Sequence, residues 1–124
     1  MRESRKYELT DESIQIGKRT LYRIRALASF SDVEAGDLGG FVESEYNLSH
    51  GGNAWIYGNA KVYGDAQVFE DAEASGNAQI YGNAQLYGHS WVYGNARVYG
   101  NAKVFGEVWI SSGAMIGGNA EIWG

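Results

Sequence analysis

The chain has neither cysteine nor proline among its 124 residues. Without cysteine, disulfides and thiolate metal sites are excluded. No run of 18 apolar residues occurs, so no segment reads as a membrane-crossing helix. The start, Met1-Arg2-Glu3-Ser4-Arg5-Lys6, lacks the apolar stretch of a secretion signal, and a cytoplasmic location is the expectation. Histidine is scarce as well. With only His50 and His89 present, a dedicated metal site is not expected. A G-x-G-x-x-G fingerprint, a P-loop and a catalytic triad are missing too, and no cofactor is expected.

Glycine, by contrast, is abundant. The 18 glycines fall largely at a strict spacing, which makes them corners of a repeat and not a sign of disorder. From Gly52 to Trp123 the phrase Gly-Asn-Ala-x-(Val/Ile)-aromatic recurs twelve times without insertion or deletion. A fixed short period means a solenoid that stacks on itself. Strand alternation sends the Ala and the aliphatic residue two positions later inward, and the residue between them outward. The small inner slot is Ala in ten hexads, with Ser90 and Val108 the exceptions, and the large one is Val, Ile or Leu in eleven, with Ala74 the exception. Gly in the first position of ten hexads and Asn or Asp in the second position of nine suit tight corners.

The phrase Gly94-Asn95-Ala96-Arg97-Val98-Tyr99, with an inward aliphatic residue and a small one four positions on (Val62 and Ala66, Val98 and Ala102), is similar to the hexapeptide repeat of left-handed β-helices. Together with Ala35-Gly36-Asp37-Leu38-Gly39-Gly40-Phe41-Val42-Glu43 and Asn47-Leu48-Ser49, it resembles the YdcK-like β-solenoid repeat proteins of bacteria and phages, over residues 20–124. The resemblance implies an all-β, single-stranded, left-handed-type β-helix. It implies no activity, because that family has none generally assigned.

Three hexads per turn give 18-residue coils, so residues 52–124 are expected to form a triangular prism of about four coils. Each residue then stacks on the one 18 positions later. Tyr63, Tyr81, Tyr99 and Gly117 form one corner column, Phe69, Tyr87, Phe105 and Trp123 another, and Tyr57, Ser75, Tyr93 and Ser111 the third. Ahead of the prism, residues 1–30 read as a β-hairpin cap, with strands at Ser13–Ile16 and Thr20–Leu27 around a turn at Gly17-Lys18-Arg19. Residues 31–51 read as an irregular first coil. Running the frame backwards puts Gly36/Leu38 and Val42/Ser44 in inward slots, and the frame fails at Leu48/His50.

Departures from the phrase gather on one face. Its outward column is Trp55, Glu73, Trp91 and Trp109, flanked by Tyr57 and Tyr93. An exposed aromatic patch marks an interface, and these six residues are the expected interaction face. The alternative is that the hairpin folds back over it. Where the sequence stops, Glu121 and Trp123 either support end-to-end assembly or serve as a cap.

The charge is uneven: residues 1–30 carry seven Lys/Arg against four acids, and residues 31–124 three against eleven. The acidic solenoid argues against nucleic-acid binding along its length. The expected partners are copies of the chain, as a dimer or trimer, or another protein. Blocking a host enzyme in the manner of a phage inhibitor, a defence nuclease complex for instance, is the alternative. Left-handed β-helix proteins also include acyltransferases, whose base is a histidine; in that reading His89 is the general base, with Ser90 or Glu107 beside it. No loop interrupts residues 52–123, and a non-catalytic module is expected.

Overall fold

A computed structural model describes residues 5–124; residues 1–4 of the expected cap lie outside it. The described residues are all-β apart from one 3-10 turn, Glu45–Asn47. Strands β1 (Tyr7–Ile16) and β2 (Arg19–Ala26) form an antiparallel hairpin, longer at its N-terminal side than expected. Residues Thr10, Asp11 and Glu12 of β1 bulge opposite Arg23, and Glu12 pairs with the Arg23 guanidinium at 2.9 Å. In β2, Ile24 and Ala26 are buried in the core, and Leu21, one position out of that alternation, is buried outside it.

Strand β3 (Leu38–Val42) joins hairpin to solenoid: it pairs antiparallel with β2 and parallel with the Lys61–Val62 rung. From there the chain winds through short parallel rungs of two or three residues on three faces. One face holds five rungs, counting β3, continued by the hairpin; the other two hold four each. The result is a solenoid of about five turns. Ala and aliphatic side chains fill its axis, with Ala60, Val62, Ala78, Ile80, Ala96 and Val98 fully buried on one face. Ser90 fits the same slot because its hydroxyl donates to the Tyr87 carbonyl at 2.8 Å.

Corners repeat as expected. Gly82 has φ +69°, and a Cβ there would stand 2.9 Å from the Gly100 amide nitrogen, a conformation and an approach that only glycine accepts without strain. Glu70 takes the same kind of corner at φ +59°, and its carboxylate accepts a hydrogen bond from the Gly88 amide in the next coil. Two aromatic columns stack, with Tyr63, Tyr81 and Tyr99 spaced 5.1 and 5.4 Å and Phe69, Tyr87 and Phe105 spaced 4.8 and 5.0 Å.

The first coil departs from the backward-run frame by two residues. Val42 is paired with Val62 and Leu48 bridges to Val68, both 20 positions on, whereas Trp55 pairs with Glu73 at 18. Two extra residues therefore lie between Leu48 and Ala54. The inward pair is Gly40/Val42, not Val42/Ser44, and Leu38 is 58% exposed. Gly40 is required there: a Cβ would sit 2.4 Å from the Ala60 carbonyl oxygen. Ser44 instead caps the 3-10 turn, and the buried Asn47 amide donates to the Gly64 and Ala66 carbonyls.

Candidate functional site: the tryptophan face

The column Trp55, Glu73, Trp91, Trp109 is in register along one face, each residue a Cα partner of the next. The four side chains nevertheless have different fates. Trp55 is 1% exposed and belongs to the core, against the expectation that it projects into solvent. The segments before the repeat cover it: Phe30 meets it edge-on at 5.3 Å and Tyr7 at 6.3 Å. Lys6 closes the cover. Its ammonium lies 4.9 Å from the Phe30 ring centre and donates to the Ala54 carbonyl at 2.6 Å, while loss of solvent pushes its pKa down to about 8, with Asp71 opposing. Tyr7 is anchored on its other face by His50, stacked at 4.2 Å, whose ring also meets Glu45 at 2.7 Å and accepts the Lys6 amide hydrogen. The cap thus covers the first level of the face and no more.

Glu73, one coil up, is half-buried. Loss of solvent, and secondarily the nearby Asp32 carboxylate, hold its carboxyl above the usual carboxylate range. Asp32 reaches the face from the loop before β3 and accepts a hydrogen bond from the Tyr57 hydroxyl at 2.8 Å. Burial first, then that bond, raise the Tyr57 phenol above its ordinary value.

Trp91 lies in a notch. In the corner column Tyr57, Ser75, Tyr93, the small Ser75 leaves a gap between two tyrosines. The Trp91 indole leans into it, donating from Nε1 to the Ser75 hydroxyl at 2.9 Å and packing on Tyr93 at 4.6 Å. Trp109 has no such gap, because the residue in the matching position is Tyr93 itself. It stands 68% exposed and touches Trp91 edge-on at 5.7 Å.

Residues 90–112 match the YdcK beta solenoid repeat family. The matched YdcK repeat holds Trp91, Tyr93 and Trp109, so the most exposed part of the face lies within it; it covers a minor part of the chain. No curated protein matches the chain.

Beside this stretch, a shallow hollow is lined by His89, Glu107 and Trp109. His89 is exposed at its corner, with Nε2 3.7 Å from an Asp71 carboxylate oxygen. The remaining expected residues, Glu121 and Trp123, are exposed on a different face, where Trp123 ends the Phe69 column, 6.3 Å from Phe105. They do not join the tryptophan face. The residues that sequence reasoning missed are Lys6, Tyr7, Phe30 and Asp32, which meet the face from outside the repeat. Among the described residues no helix is long and apolar enough to cross a membrane, and no cluster of potential metal ligands occurs.

Proposed function

We propose that this β-solenoid is a non-catalytic module that works by protein contact, including self-assembly, through Trp91, Tyr93 and Trp109. One observation carries the reading: a tryptophan 68% exposed in edge contact with a second, half-buried one. Indoles at the centre of an interface contribute strongly because they bury large area with few rotors. On a rigid rung, little conformational entropy is lost when they dock. A contact made to a host enzyme in place of a copy or structural partner would be that of a phage-type inhibitor.

The test compares the wild type with Trp109→Ser and Trp109→Phe by solution mass and by cross-linking in a host lysate. The Ser variant is expected to weaken association at least tenfold, and the Phe variant to retain part of it. Unchanged mass and unchanged cross-links in Trp109→Ser would overturn the proposal. A second reading draws on His89 and Asp71, 3.7 Å apart beside Glu107, as an acid–base pair for acyl transfer; acyl-CoA turnover that is lost in His89→Ala would favour it.

A further inference from the structure

Several charges of the solenoid meet no opposite charge in its own fold. In the cap, described arginines meet carboxylates: Arg5 with Glu45 at 2.9 Å, Arg19 with Glu43 at 2.8 Å, Arg23 with Glu12 at 2.9 Å, and Arg25 with Glu8. In the coils, among the described residues, Lys61, Arg97 and Lys103 form no ion pair, and neither do Glu73 and Glu107.

The charges of the coils are sorted by face. The hexads of the tryptophan face (52–57, 70–75, 88–93 and 106–111) carry Glu70, Asp71, Glu73 and Glu107 and no lysine or arginine. The next face in the winding (58–63, 76–81, 94–99 and 112–117) carries Lys61 and Arg97 and no carboxylate. Like charge on each face and opposite charge between them favour contact of the two faces across molecules and disfavour each face meeting itself.

The faces also correspond level by level. Within a coil the outward residue of the basic face follows that of the tryptophan face by six positions. Glu73 therefore shares its level with Gln79, Trp91 with Arg97, and Trp109 with Met115. Each is a favourable pair: an amide donor for a carboxylate, a guanidinium for an indole face, and a thioether for an aromatic ring. Arg97 and Met115 are exposed, as Trp109 is.

We infer that the tryptophan face docks on the basic face of a second copy of this chain with the solenoid axes parallel, placing Arg97 on Trp91, Met115 on Trp109 and Gln79 on Glu73. The inference rests on the reading of the tryptophan face as an interaction surface and names its occupant. Because two different patches meet, the contact is heterologous. It propagates around a closed ring or along a filament, and it does not produce a two-fold dimer. The expected assembly has three or more copies.

Complementary variants test this. Trp109→Ser spoils one face and leaves the other intact, and Arg97→Glu does the reverse. Both positions are exposed, and Glu121 holds the equivalent outward slot in another hexad, so folding is not threatened. By sedimentation velocity on the full chain, the wild type should form species of three or more copies, and each variant alone should be a monomer. An equal mixture should form a one-to-one heterodimer through the single intact pair of faces. A wild type that stays monomeric up to about 100 µM, an Arg97→Glu chain that assembles like the wild type, or a mixture that stays monomeric would each overturn the inference. Two of these outcomes separate it from the broader reading. If Trp109→Ser dissociates an assembly that Arg97→Glu leaves intact, or if a monomeric wild type cross-links another protein in a Trp109-dependent way, the tryptophan face binds a different occupant.

Discussion

Ser75→Tyr, which restores the repeat's aromatic corner, should expel Trp91 from its notch with little change in stability. The losses are the Trp91–Ser75 hydrogen bond at 2.9 Å, about 1 kcal/mol, and the Trp91–Tyr93 ring contact at 4.6 Å, about 0.5–1.5 kcal/mol. The gains are two stacked contacts with Tyr57 and Tyr93, of the kind that Tyr63, Tyr81 and Tyr99 make at 5.1 and 5.4 Å, each again about 0.5–1.5 kcal/mol. Losses and gains cancel to within about 1 kcal/mol. The indole is what changes. Losing a bond of about 1 kcal/mol should speed exchange of the Trp91 indole N–H about fivefold, which indole-resolved hydrogen exchange by NMR reads directly. Ser75→Thr, which keeps the hydroxyl acceptor, should leave that rate near the wild-type value. If Trp91 stays protected in Ser75→Tyr, or if the variant loses more than about 3 kcal/mol, the notch is not what holds the indole.

Two further predictions concern the same face. Trp55→Ala removes the ring on which Tyr7 and Phe30 rest; it should cost about 3–5 kcal/mol in chemical denaturation and make the cap more sensitive to protease, and a loss below about 1 kcal/mol would contradict the burial argument. Glu73→Gln should raise the melting temperature at neutral pH. The folded carboxyl ionises above its ordinary value, so between the unfolded and folded values the folded state holds the extra proton, and wild-type stability falls as pH rises through that interval. The advantage of Gln should therefore shrink as pH drops below the usual carboxylate range; a gain independent of pH would place its origin elsewhere.

Much of the fold was legible because the period never slips after Gly52. Once 18 residues make a coil, the stacking partners of Tyr63 or Phe69 follow from counting, and the observed ring spacings agree with that count. The two-residue slip in the first coil was not legible. Between Leu48 and Ala54 the chain reads Ser49-His50-Gly51-Gly52-Asn53, with no large aliphatic residue to mark which positions turn inward. The fate of Trp55 was illegible for another reason: its cover comes from Lys6, Tyr7 and Phe30, and nothing in a hexad signals which distant side chain will settle on it. Trp91 is the intermediate case. Ser75 between Tyr57 and Tyr93 is visible in the corner column, and the space it frees beside a tryptophan one coil above could have been inferred from size alone.

The rungs have a mechanical consequence. The backbone bonds that join coil to coil, such as the Lys61 amide to the Ala78 carbonyl and the Tyr63 amide to the Ile80 carbonyl, run along the solenoid axis, and few other ties span more than one coil. Tension drawn along that axis loads successive coils in series instead of shearing one long sheet at once. A coil that gives way frees 18 residues, roughly 60 Å of extended chain, while the coil below keeps its own bonds. The molecule should yield to force in equal steps and retrace them in reverse order when the load is removed, each coil folding back on the intact one below it.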